Sequence, residues 1–134
     1  MRMMQVLVVF AAGLASIALL AQSDADYQGY MKTVAGSNGK FQKGIAAKDK
    51  AVVDAEGAVL ETTFKQVEAF WQKRNVTDAA NLSKQAHMAA AAATKAADAG
   101  NFELAATEGA KVGATCAPCH MAHRDGAKGD YKIK

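Results

Sequence analysis

Residues 27–45 read YQGYMKTVAGSNGKFQKGI, and whether this stretch forms one helix or two decides the architecture. Tyr27, Tyr30, Met31, Val34, Phe41 and Ile45 recur at spacings of three, four and seven, the apolar stripe of an amphipathic helix. On composition alone Gly36-Ser37-Asn38-Gly39 passes for a turn. The stripe resumes in register at Phe41, so the spacing predicts a single helix. On that reading the small residues let something bulky approach the backbone. Ser23 or Asp24 is suited to cap its start.

Three further helices follow by the same reasoning. A second stripe runs through Val52, Val53, Ala55, Val59, Leu60, Phe64, Val67, Phe70 and Trp71, with Gly44 to Asp49 as the corner before it and Phe70-Trp71 expected in the core. Asn75-Val76-Thr77-Asp78 reads as a break followed by cap chemistry, and a third helix runs from there to about Asp98. It contains the alanine block Ala89–Ala93, which permits close approach to a neighbouring helix or across a homodimer interface. Ala99-Gly100-Asn101 offers a terminating glycine and then a new cap. The fourth helix starts near Phe102 and carries Leu104, Ala105, Val112, Cys116, Cys119 and His120. No stretch after Ser23 alternates at period two, so no strand is expected. The fold class is all-α: four segments of about 20 residues with short connections imply an antiparallel four-helix bundle.

Composition agrees and narrows the function. The 134 residues are 51% hydrophobic but only 7% aromatic, with one Pro, which suits alanine-rich helices rather than a loop-rich β protein or a disordered chain. A net charge of +3, dispersed along the chain, lacks the clustered basic stripe of a nucleic-acid binder. The only two cysteines, Cys116 and Cys119, lie too close together for a disulfide framework.

Residues 1–22 read as a signal peptide or an N-terminal membrane anchor. One positive charge at Arg2 precedes an uncharged run of 16 residues, Val6 to Ala21, and polar residues follow at once. That run reaches roughly 24 Å as a helix, short of the ~30 Å hydrocarbon core, which favours cleavage. Residues 23–134 are then the working domain, exported to the periplasm, and attached to the inner membrane only if the leader is retained.

The chemistry is concentrated in Cys116-Ala117-Pro118-Cys119-His120. Cys-x-x-Cys-His in an exported chain is the attachment pattern of one covalent haem c. One helical turn separates the cysteines, so both sulfurs bond the vinyl groups of a single macrocycle, and His120 follows on the same face as an iron ligand. A thioredoxin-type redox pair would belong after a strand in a βαβ unit. A structural zinc would need four ligands, with only His87 and His123 to add. A disulfide across three residues would close too small a loop to stabilise much. Pro118 should bend the helix locally. Only 14 residues follow His120, too few on this reading to fold back over the haem and supply a distal ligand. The sixth ligand is sought upstream, among Met31, His87 and Met88. His123 lies on the proximal side, and Lys128, Lys132 and Lys134 make a basic, solvated tail.

The chain resembles the class II c-type cytochromes, the cytochrome c-prime and low-spin cytochrome c-556 family. The likeness covers most of residues 24–125. It rests on Ala96-Ala97-Asp98-Ala99-Gly100, Lys111-Val112-Gly113-Ala114-Thr115-Cys116, Cys119-His120-Met121-Ala122-His123-Arg124 and Tyr30-Met31-Lys32-Thr33-Val34-Ala35-Gly36. The family usually has an aromatic where His123 stands. The basic residue it often carries three positions before the first-helix methionine is Tyr27 or Gln28 here, so a propionate contact from that position is not carried over. The resemblance implies that Met31 ligates iron, as the methionine of the low-spin members does. The function expected is therefore that of a mono-haem electron carrier with His120 and Met31 as axial ligands, not an enzyme, serving transient redox protein partners. The alternative is a five-coordinate, cytochrome c-prime-like protein binding nitric oxide or carbon monoxide, with Met31 as packing.

Overall fold

The computed structural model describes residues 22–134. The leader or anchor expected over residues 1–22 lies, apart from Gln22, outside the described residues. Five helices span α1 (Asp24–Ala46), α2 (Lys50–Lys73), α3 (Thr77–Asp98), α4 (Phe102–Ala114) and α5 (Cys116–His123). α1 packs on α2, α2 on α3, α3 on α4, and α4 returns to α1, so the protein is an all-α helical bundle with α5 continuing the fourth member. Among the described residues no helix is long and apolar enough to cross a membrane.

The stretch 36–39 is helical, as its register requires. Ser37 supplies the reason: it is buried, and its hydroxyl donates to the Glu56 carboxylate of α2 at 2.6 Å. Gly36 and Gly39 do not serve the close approach expected of them, since a Cβ at either would meet nothing within 4 Å. The close approaches lie elsewhere. A Cβ on Gly57 would fall 2.1 Å from Thr94 Oγ1 and 3.1 Å from the Phe41 ring, so Gly57 sets how closely α2 meets α3. Ala86, Ala90, Ala93 and Ala97 are buried along the same face of α3, so the alanine block is packed within the chain's own core.

The connections α1–α2, α2–α3 and α3–α4 share one device. Each helix ends with a residue in the left-handed region, Lys48 (φ 55), Asn75 (φ 58) and Gly100 (φ 76). The following N–H groups of Asp49, Val76 and Asn101 donate back to Gly44, Trp71 and Ala96, which satisfies carbonyls the helix leaves open. Helix starts are capped by Ser23, reciprocally with Asp26, and by the side chains of Asp49 and Asn101. α3 departs from expectation here. Its N-cap is Val76, which makes no side-chain cap hydrogen bond, because Asn75 is used in the turn.

The expectation of no strand fails at the C-terminus. Residues 124–134 form a small antiparallel hairpin, β1 (Arg124–Asp125) with β2 (Lys132–Ile133), turned at Gly126 and Gly129 with positive φ. Two-residue strands are too short to show alternation at the length usually sought.

Two glycines test this packing. In urea unfolding, Gly39→Ala should raise stability by about 0.5–1 kcal/mol, since alanine is the better residue in an open helix interior. Gly57→Ala should lower it, because Thr94 and Phe41 have to move.

Candidate functional site

A proline at position 118 removes the N–H that would bond the Ala114 carbonyl. The helix opens at that point, three residues ahead of the proline itself. Thr115 stands between α4 and α5, buried, with its N–H on the Val112 carbonyl at 3.3 Å and its hydroxyl on the same oxygen at 2.8 Å. Cys116 then starts a new helix, and Pro118 falls in its first turn, where a missing N–H costs nothing.

α5 borders a cavity of about 510 Å³. Met31, Val34 and Ala35 line it from α1, Phe64 and Val67 from α2, and Leu82 and Ser83 from α3. Cys116, Cys119 and His120 line it from α5. All four residues singled out as haem contacts therefore border one space. Its volume and its largely apolar walls lie within the range of cofactor and small-molecule sites.

The other histidines and methionines are elsewhere or engaged. His87 shares a 2.7 Å hydrogen bond with Glu68 between α3 and α2 and does not line the cavity. Met88 and Met121 are exposed. His123 does border the cavity, but its Nε2 lies 2.7 Å from the Asp78 carboxylate, and its ring rests 5.1 Å from that of Trp71. Trp71 belongs to a cluster with Phe70 and Tyr27, so His123 joins the end of α5 to α2, α3 and, through Tyr27, α1.

Burial governs the titration of the site. Cys116 and Cys119 are free thiols. Burial pushes the Cys116 thiol up. It pushes Cys119 up to about 11, with the charges of Asp78 and Cys116 adding to the effect. Burial, and then the Arg124 guanidinium, hold His120 below its usual value and keep the imidazole neutral. Among the described residues no group of three or more His, Cys, Asp or Glu side chains converges to hold a metal ion.

The tail was expected to be solvated and too short to fold back. Instead, residues 129–133 of the hairpin line the same cavity. Gln28 of α1 donates to the Tyr131 carbonyl at 2.9 Å, and Arg124 stacks over the Tyr131 ring at 3.9 Å. A short signal for this wall was present: Tyr131-Lys132-Ile133-Lys134 alternates apolar and cationic residues just after Gly126 and Gly129.

Comparison with family models, with curated proteins and with solved structures returned no match for this chain.

The hydrogen bond from His123 holds the Asp78 carboxyl below the ordinary carboxylate range. A carboxyl whose folded value is depressed stabilises the fold above its unfolded value, and that contribution is lost as pH falls through the folded one. Thermal melts of Asp78→Asn should accordingly show lower stability than the parent at neutral pH. The gap should close on acidification below about pH 4.

Proposed function

We propose that this chain is an exported mono-haem c-type cytochrome of the class II kind, an antiparallel four-helix bundle that carries single electrons. In this reading one haem c is bonded through the sulfurs of Cys116 and Cys119, with His120 and Met31 as the axial ligands. The observation that carries it is the meeting of Met31, from the first helix, with the Cys-x-x-Cys-His residues, from the last, on one apolar cavity.

The haem would supply a one-electron ferric/ferrous couple. The chain's own residues account for the rest. Val34, Phe64, Val67 and Leu82 keep water away from the ring. A neutral His120 offers a lone pair without first losing a proton. Met31, across the cavity on α1, would hold the remaining iron position, which suits a carrier rather than an enzyme. Little has to move when the charge on the metal changes. A transient redox partner needs only a small contact over the cavity's solvent edge.

The competing uses of the cysteines fit less well. A redox-active dithiol needs a lowered thiol pKa, and burial here acts in the opposite direction. A zinc site lacks converging donors among the described residues.

Intact mass and absorption of the protein recovered from an exporting host test the reading. The expected result is one covalently added haem per chain and a low-spin oxidised spectrum with a methionine–iron charge-transfer band. Met31→Ala should abolish the band, turn the spectrum high-spin and open the iron to carbon monoxide and nitric oxide. A high-spin wild type that already takes up nitric oxide would favour the five-coordinate alternative. A colourless protein with free thiols would end the haem reading.

A further inference from the structure

A porphyrin of the c type carries two carboxylates, and an apolar cavity accepts charged groups only where cations meet them. Resting on the haem reading above, we propose that the C-terminal hairpin is a carboxylate clamp, with Lys132 of β2 and Lys32 of α1 receiving the two haem propionates at the cavity's solvent edge.

The charged and titratable groups around the cavity leave few other candidates. α2 and α3 present Phe64, Val67, Leu82 and Ser83, none of them charged. At the end of α5, His123 is held by Asp78, and Arg124 lies flat on the Tyr131 ring. On α1 the residues before Met31, Tyr27 and Gln28, carry no positive charge. Lys32 and Lys132 both line the cavity and both are exposed, which puts them on its rim rather than in its floor. Lys32 has no ion pair among the described residues. Lys132 has only Asp130, at 3.4 Å with both side chains more than two-thirds exposed, a pairing that a propionate displaces at little cost.

The hairpin is also built to hold this position. Gln28 grips its backbone at Tyr131, Ile133 packs against the core, and the Lys134 N–H bonds the His123 carbonyl. The first helix thus supplies one cation, Lys32, and the amide of Gln28 that fastens a cation-bearing strand over the same space.

The test uses the exported holoprotein. Intact mass is read first, and absence of haem at that step counts against the haem reading, not the clamp. With haem present, the reduction potential is followed against pH by spectroelectrochemistry. Ionisation of a propionate stabilises the ferric state, so the potential falls as pH rises through that ionisation. Loss of a neighbouring cation delays ionisation, so Lys132→Gln should move the fall to higher pH by about one unit. Lys132→Arg should restore the parent profile. Lys128→Gln removes the same charge from the same hairpin without touching the cavity lining, and should leave the profile in place. Asp130 is paired with Lys132, so each variant is also made with Asp130→Asn, which takes that carboxylate out of the comparison. A Lys132→Gln profile that superimposes on the parent, or on Lys128→Gln, overturns the proposal. Should Lys132→Gln fail to mature, Lys32→Gln gives the same reading: a shift upward supports the clamp and an unmoved profile overturns it.

Discussion

The site depends on one carbonyl that loses its helical partner. Pro118 cannot donate to Ala114, and the chain responds at Thr115, which turns its amide and hydroxyl onto Val112. A new helix starts at Cys116, and Cys116, Cys119 and His120 all border a cavity walled by α1, α2 and α3. The aromatic cluster of Tyr27, Phe70 and Trp71 then fixes the end of that short helix through His123 and its bond to Asp78. α5 has no fully buried residue of its own. Its position comes from what grips it, not from a core it contributes.

The same arrangement explains why the site is apolar at its centre and cationic at its edge. Small residues pack α3 tightly against its neighbours on one side, through Gly57 and the alanines of α3. On the other side the bundle keeps a space large enough for a cofactor. Burial raises both thiols, which disfavours dithiol exchange, and keeps His120 neutral, which suits metal ligation. The proposed electron-transfer function rests on that combination and on Met31 bordering the same cavity as His120.

Much of this could be read before the fold was known, where the signal was periodic or chemically specific. The stripe through Tyr27, Val34, Phe41 and Ile45 carried α1 across its glycines because period outweighs composition when the register is kept. Cys116, Cys119 and His120 stood out because few chemistries need that spacing, and Met31 because it sits on the apolar stripe where the resembled family places its methionine ligand. The C-terminal wall was hidden for a physical reason. Its strands are two residues long, and they are held by Gln28, over 100 positions away, and by a cation over a ring. Contacts of that range leave only the four-residue alternation Tyr131-Lys132-Ile133-Lys134 as a local trace. Cap chemistry at Val76 was misread because Asn75, a good cap by type, is equally suited to the left-handed turn position it takes.

The most direct test of the account is the methionine methyl region of the proton NMR spectrum of the reduced holoprotein, labelled at the methionine methyl carbons. Beyond residue 22 the chain has only Met31, Met88 and Met121. The account predicts that one methyl resonance, assigned to Met31, is driven far upfield by the porphyrin ring current, while those of Met88 and Met121 keep ordinary shifts. Three methionine methyls at ordinary shifts in a protein that carries its haem would contradict it.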